Sequence, residues 1–229
     1  MTAGVLLQAR LASRRLPRKA LLPLGEGNVL QHVLRALADI PAEVHALLTD
    51  ESSADAFALF AAEQGFALFV GPEEDVLSRY AQAVRRFRLG RVVRATGDNP
   101  LVSVRAAVAL LQAHEAAGFD LSHYPQLPLG TGVEVVEAPA LLEADARARD
   151  AYEREHVTAY LYRNRQSFRV GEPSCRPEWA LPEARVTVDT IEDYARIKRI
   201  YAELYRGGPV EIEELVSWLR RDRSGERKT

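Results

Sequence analysis

Between Gln8 and Lys19 the chain reads Gln8-Ala9-Arg10-Leu11-Ala12-Ser13-Arg14-Arg15-Leu16-Pro17-Arg18-Lys19, with four arginines, one lysine and no acid. Cations at this density repel one another unless solvent or an anion comes to them. A triphosphate suits such a segment, because guanidinium forks pair with phosphate oxygens and an ammonium binds them as a point charge. A solvated, arginine-biased loop is the competing reading. Of 30 basic residues only Lys19, Lys198 and Lys228 are lysine, so a lysine stands out in this background. Neither a G-x-x-x-x-G-K-[ST] nor a G-x-G-x-x-G phosphate fingerprint occurs.

Two acids lie where a partner for such a loop is needed. Asp98 sits in Thr96-Gly97-Asp98-Asn99-Pro100-Leu101, where Gly97 permits a tight turn and Pro100 fixes its exit. Asp189 leaves the run Val186-Thr187-Val188 just before a helix that Thr190 can cap. A turn aspartate and a cap-region acid are the plain readings of each alone. As a pair, they can share one magnesium ion on the substrate phosphates. Three further polar residues are candidates. Glu134 enters a strand after Gly130-Thr131-Gly132 and can bond a sugar hydroxyl, with a solvated edge glutamate as the alternative. Glu153 and His156 share a helical face, as do Tyr152 and His156, and a satisfied helix histidine is the alternative there. His32, His45, His114 and His123 have no ligand-like spacing.

These residues need a scaffold. The first 120 residues alternate short apolar runs with helical periods. Strands are expected at 5–7, 44–49, 67–70 and 91–95, and helices at 28–39, 52–64, 73–87 and 103–117. Asn28 with Gln31 has capping-box spacing, and Ser103 is an N-cap candidate. This order implies an α/β fold with a mostly parallel sheet and helices on both faces, in which ligands bind beyond the C-terminal strand ends. Those ends are where the basic loop, Asp98 and Asp189 fall. The second half is less regular. Strands are expected at 132–136, 168–171 and 184–188, and helices at 139–149, 150–163 (with an Asp150/Glu153 capping box), 190–205 and 211–220. We expect one domain over residues 1–219 and a charged, frayed tail over 220–229. With 229 residues, 47% hydrophobic and a net charge of −2, the chain can bury a large core and is not a general nucleic-acid binder. It has no apolar run long enough to span a membrane and no charged leader before its first apolar run. Its single cysteine, Cys175, excludes a disulfide framework. A cytoplasmic protein with no membrane partner is expected.

Five segments together carry a resemblance. They are Gln8-Ala9-Arg10 with Ser13, Arg15-Leu16-Pro17, Lys19 and Leu21; Glu73-Glu74-Asp75-Val76-Leu77 with Arg79-Tyr80; Thr96-Gly97-Asp98 with Pro100-Leu101; Tyr152-Glu153-Arg154-Glu155-His156-Val157-Thr158; and Val188-Asp189-Thr190 with Glu192-Asp193-Tyr194. In this order, over residues 3 to 205, they resemble the cytidylyltransferase-like proteins of spore-coat polysaccharide biosynthesis. More distantly, they are similar to enzymes that make CMP-activated keto-deoxy-octulosonate and sialic acid. The resemblance implies the nucleotide-diphospho-sugar transferase fold, a Rossmann-like three-layer α/β/α sandwich. It implies that Gln8, Ala9, Arg10, Ser13, Arg15, Lys19, Arg79, Thr96 and Gly97 bind the nucleotide, and that Arg10, Lys19 and Asp98 are catalytic. It further implies that Asp98 and Asp189 hold magnesium, while Glu134, Glu153 and His156 are the candidates that the residues themselves offer to face the sugar. The implied reaction joins CTP to a sugar or sugar acid with release of pyrophosphate, in a homodimer. The chain departs from the family pattern at Arg18, where glycine is usual, at Thr131-Gly132 in place of Leu-Asp, and at Ser78 in place of aspartate. No Ser-Gly-Thr stretch lies near Gly71 to Glu74. A glycosyltransferase on the same fold is a weaker alternative, since Asp98-Asn99-Pro100 is not a D-x-D motif; a non-catalytic nucleotide-binding module is another.

Overall fold

The computed structural model of the chain describes residues 2–224. In chain order the strands and helices are β1 (Ala3–Gln8), β2 (Pro23–Leu24), β3 (Gly27–Asn28), α1 (Val29–Ala38), β4 (Val44–Thr49), α2 (Glu51–Glu63), β5 (Ala67–Val70), α3 (Val76–Phe87), β6 (Arg91–Thr96), α4 (Val104–Ala117), β7 (Leu121–Ser122), β8 (Glu134–Glu137), α5 (Ala138–Arg147), α6 (Ala151–Glu155), α7 (Ala159–Arg163), β9 (Val170–Gly171), α8 (Ile191–Leu204) and α9 (Ile212–Ser224). Seven strands form one sheet in the order β5-β4-β1-β6-β8-β7-β9. β5, β4, β1 and β6 run parallel, β8 pairs antiparallel to both β6 and β7, and β9 is parallel to β7. β2 and β3 make a separate small hairpin.

The alternation of strand side chains divides the core. In β1, Val5 and Leu7 point to one face with Leu47 and Val93, against Leu30, Val33 and Leu37 of α1 and Phe57 of α2. Leu6 points to the other with Leu48 and Val92, against Leu77, Tyr80 and Val84 of α3 and Leu141 of α5. Helices therefore cover both faces of the sheet, as a mostly parallel sheet requires. A third cluster joins Val186 and Val188 to Trp179, Ile197, Ile200, Tyr201, Leu215 and Trp218, and it packs α8 and α9 onto Val29 and Ala106 of the sandwich.

The first half follows the expected elements closely because each helix start is chemically marked. Asn28 and Gln31 form the reciprocal capping box, and Asp50, Asp75 and Ser103 accept from the backbone three residues on. The second half differs in three places. The helix expected over 150–163 is two short helices, α6 and α7. Asp150 caps the first, but Glu153 turns to Arg163 at 3.0 Å instead of closing a box. The break falls at Val157, a buried residue with φ of 53°. The strand expected at 184–188 is a single parallel bridge from Leu129 to Arg185. Its partner segment turns away at once, with Thr131 N bonded to Pro128 O, so no ladder can extend. Finally, α9 continues through Ser224, past the Arg220 where a frayed tail was expected. Asp222 pairs with Arg196 and Arg199, and Arg223 with Glu183. Residues 225–229 of that expected tail lie outside the described residues.

The 184–188 segment is pinned rather than paired. Val186 N bonds to Leu129 O at 2.7 Å, and Val188 N bonds to Asp98 O at 2.8 Å. Gly130, at φ of 102°, makes the approach possible, since a Cβ there would lie 2.9 Å from Thr187 N. One residue beyond Val188, the capping box of Thr190 and Asp193 starts α8, and Asp193 Oδ2 also accepts from Asp189 N at 3.1 Å. Thr190→Ala should therefore cost about 1 kcal/mol and lower the melting temperature by roughly 2–4 °C, as read by circular dichroism; an unchanged melting curve would show that the box does not anchor this segment.

Candidate functional site

The C-terminal ends of β1 and β6 open into a cavity of about 1020 Å³, walled on one side by the 9–18 segment and on the other by α6 and its exit. The loop is tied down by backbone bonds. Ala9 N bonds to Leu48 O, Leu11 N to Ser53 Oγ, and Arg18 N returns to Leu11 O at 3.2 Å. Thr49 Oγ1 adds a bond to Ala9 O, and Leu16 N a long one of 3.4 Å to Ser13 Oγ. At its end Arg18 has φ of 55°, which explains why glycine is usual there, and Lys19 opens a 3-10 turn. A side chain in this left-handed region costs roughly 1–2 kcal/mol.

At the base of the cavity lies the feature that organises it. Lys19 Nζ is 2.7 Å from Asp98 Oδ2 and 2.8 Å from Asp189 Oδ1. The two acids, 91 positions apart in sequence, thus meet on one ammonium. Asp98 Oδ1 accepts from Thr96 Oγ1 at 2.7 Å, and Asn99 Nδ2 holds that hydroxyl in turn. Asp189 also pairs with Arg15 at 2.9 Å and with Arg185. Burial pushes the Asp189 carboxyl up, but Lys19, Arg15 and Arg185 outweigh it and hold the group below the ordinary aspartate value. Gly97 makes the close approach of the two loops possible. Its N bonds to Gln8 O, and a Cβ on it would lie 2.7 Å from that of Ala9.

The remaining expected residues separate into two groups. Gln8, Ala9, Arg10, Ser13, Arg15, Lys19, Arg79, Thr96, Gly97, Asp98, His156 and Asp189 all line the cavity. Arg10 pairs loosely with Glu155 at 3.4 Å. The His156 ring packs on that of Tyr152 with centroids 4.1 Å apart. Arg79 is only 2% exposed, yet its Nε and Nη1 are buried without a hydrogen-bond partner. Burial depresses its basicity, with Tyr80 and Asp50 acting against that effect. Such a guanidinium is stable only where an acceptor can reach it.

Glu134 and Glu153 do not line the cavity. Glu134 faces Arg94 across the β6–β8 pair and binds it at 2.6 Å, while Thr158 Oγ1 and Tyr162 Oη donate to its oxygens at 3.0 and 2.8 Å. Three donors commit its oxygens to joining α7 to the sheet, away from the cavity. Glu153 is committed to Arg163. In this structure both expected sugar contacts sit in ion pairs of the scaffold and outside the cavity lining. Gly132, where the family has an acid, faces Leu127 and supplies no polar group.

Among the charges that line the cavity, Glu73, Glu74, Arg94 and Glu155 went unassigned in the sequence, as did Arg185, which pairs with Asp189. Arg94 carried a signal, since an arginine inside the apolar run Val92-Val93-Arg94-Ala95 needs a partner. Arg185 lies four residues before Asp189, but only the extended geometry of 184–188 brings them together. Among the described residues no cluster of three or more metal-ligating side chains exists, and no helix is long and apolar enough to cross a membrane.

The comparisons with known proteins agree with this geometry. A family model described as Cytidylyltransferase matches residues 4–218. The spore coat polysaccharide biosynthesis protein SpsF of Bacillus subtilis is 33% identical over 224 residues, covering 95% of this chain and 93% of that protein. The solved structure of a cytidylyltransferase from Leptospira borgpetersenii superposes with a TM-score of 0.89 at 27% identity, over 98% of this chain and 96% of that one. A CMP:2-keto-3-deoxy-manno-octonic acid synthetase complexed with CTP shares the fold, with a TM-score of 0.67 at 16% identity over 89% of this chain and 99% of that one.

Two substitutions test the scaffold. Glu134→Gln removes one partner of a half-buried, hydrogen-bonded ion pair and should cost about 2–3 kcal/mol, a fall in melting temperature of roughly 5–10 °C. Burial raises the Glu134 carboxyl but Arg94 holds it below the ordinary glutamate value, so its contribution is full at neutral pH and fades as pH falls through that lowered value. A melting curve unchanged by the substitution would contradict the scaffold role. Arg18→Gly should instead raise stability, by up to about 1 kcal/mol, in urea unfolding.

Proposed function

The chain belongs to the cytidylyltransferase family, and on that premise we propose that it joins CTP to a sugar or sugar acid. A hydroxyl oxygen of the acceptor attacks the α-phosphorus, the bond to the β-phosphate oxygen breaks, pyrophosphate leaves, and the hydroxyl proton passes to solvent. The observation that carries this reading is the Lys19 ammonium held between Asp98 and Asp189 at the foot of a loop bearing Arg10, Arg14 and Arg15.

Phosphoryl chemistry of this type asks the protein mainly for in-line positioning and neutralisation of charge. Arg10 and Arg15 reach the triphosphate from the exposed side of the loop, and Lys19 reaches it from the base. Arg79 lines the same cavity and sets a buried positive charge behind it. Two carboxylate oxygens that already share one cation suit magnesium, which takes one or two carboxylates plus phosphate oxygens and keeps several waters. Asp98 and Asp189 would hold it. When bound, it neutralises charge on the triphosphate as pyrophosphate leaves. His156, on the α6 side of the cavity, is placed to face the acceptor. The family and its sugar-pathway relative support this substrate class, and an activated sugar for surface polysaccharide is the product we propose.

A thermal-shift series with the four ribonucleoside triphosphates, with and without magnesium, should show the largest stabilisation with CTP and magnesium together. Pyrophosphate release from CTP with a suitable sugar acceptor should fall at least about 100-fold in Asp98→Ala. Equal shifts for all four nucleotides, or full turnover in Asp98→Ala, would overturn the proposal.

A further inference from the structure

Resting on the nucleotidyl-transfer reading, we infer that Lys19 is a resident counter-ion that keeps a divalent cation off the Asp98–Asp189 pair until a triphosphate draws it away. Metal and nucleotide are thereby interlocked. Each acid has one oxygen held by a local donor and one facing the shared ammonium. On Asp98, Oδ1 belongs to Thr96 and Oδ2 to Lys19. On Asp189, Oδ2 belongs to Arg185, with Thr187 Oγ1 at 3.3 Å, and Oδ1 receives both Lys19 and Arg15. The two oxygens a bridging cation needs are the two that Lys19 already contacts.

Charge favours this occupancy. Lys19, Arg15 and Arg185 face two carboxylates, so the cluster carries a net charge of +1 before any ligand arrives. A free divalent cation must enter a positive cluster and leave Lys19 without either of its carboxylates. A triphosphate reverses the balance. Its oxygens offer Lys19 and Arg15 new partners, which frees Asp98 Oδ2 and Asp189 Oδ1 together. Arg185, on the opposite oxygen, stays in place and keeps Asp189 oriented as a one-oxygen ligand. The coupling is reciprocal, so the metal in turn tightens the nucleotide.

The test uses Mn2+ as the probe, with binding read by water-proton relaxation, and every variant checked by thermal unfolding. Without nucleotide, Lys19→Met should bind Mn2+ about tenfold more tightly than the natural protein. Arg15→Gln, at an exposed residue, should shift in the same direction by a smaller factor. With the α,β-methylene analogue of CTP, the natural protein should form a ternary complex whose relaxation signal is lost in Asp98→Asn. If neither Lys19→Met nor Arg15→Gln tightens Mn2+ while the Asp98-dependent ternary signal persists, the interlock is overturned and the transfer reading stands. If no Asp98-dependent ternary signal forms, the metal assignment and the interlock fall together.

Discussion

Two ionised carboxylates held together in a half-buried crevice repel unless a cation, or a shared proton, lies between them. In this protein the cation is the ammonium of Lys19. Most of the local architecture can be traced to that constraint. Lys19 arrives on a 3-10 turn after Arg18 in a left-handed conformation. Asp98 arrives on the turn after β6, locked by Thr96 and Asn99. Asp189 arrives on a segment whose backbone is fastened to that same turn through Val188 and Asp98. The parallel sheet supplies the common edge, and the C-terminal helices supply the apolar cluster that presses the Asp189 segment onto it.

The cavity around this cluster is asymmetric in the exposure of its cations. The loop side carries exposed guanidinium groups, Arg15 being 63% exposed in its side chain while paired to Asp189. The far side carries Arg79, fixed and buried with donors left over. A polyanion therefore meets exposed guanidinium groups on the loop side, with the buried charge of Arg79 behind the opposite wall. That division suits a nucleoside triphosphate better than a nucleotide-sugar donor, whose diphosphate would draw less on the loop.

The first half of the fold was legible because its signals are local. Alternating apolar strands, amphipathic helices and capping residues such as Asn28, Asp75 and Ser103 act within a few residues of themselves. The place of Asp98 beside the basic loop was legible for a different reason, since strand ends of an open sheet share one edge, whereas Asp189 arrives there on a segment that makes a single bridge and is fastened by Val188 N to Asp98 O. The misreadings came where side chains serve distant partners. Glu134 looked like a free strand glutamate because nothing nearby in sequence announces Arg94 or Tyr162. Glu153 looked like half of a capping box, yet Arg163 claims it across the break at Val157. The 184–188 run has β-forming residues but no ladder partner, so its composition misled while its position mattered most. Arg185 was invisible for the same reason.

The most direct measurement is a crystal structure with the α,β-methylene analogue of CTP and Mn2+, using anomalous scattering to locate the metal. The account predicts a manganese peak bridging Asp98 Oδ2 and Asp189 Oδ1, with Lys19 Nζ moved onto phosphate oxygens and Arg185 still on Asp189. A metal bound elsewhere, or Lys19 still seated between the two acids beneath a bound triphosphate, would contradict it.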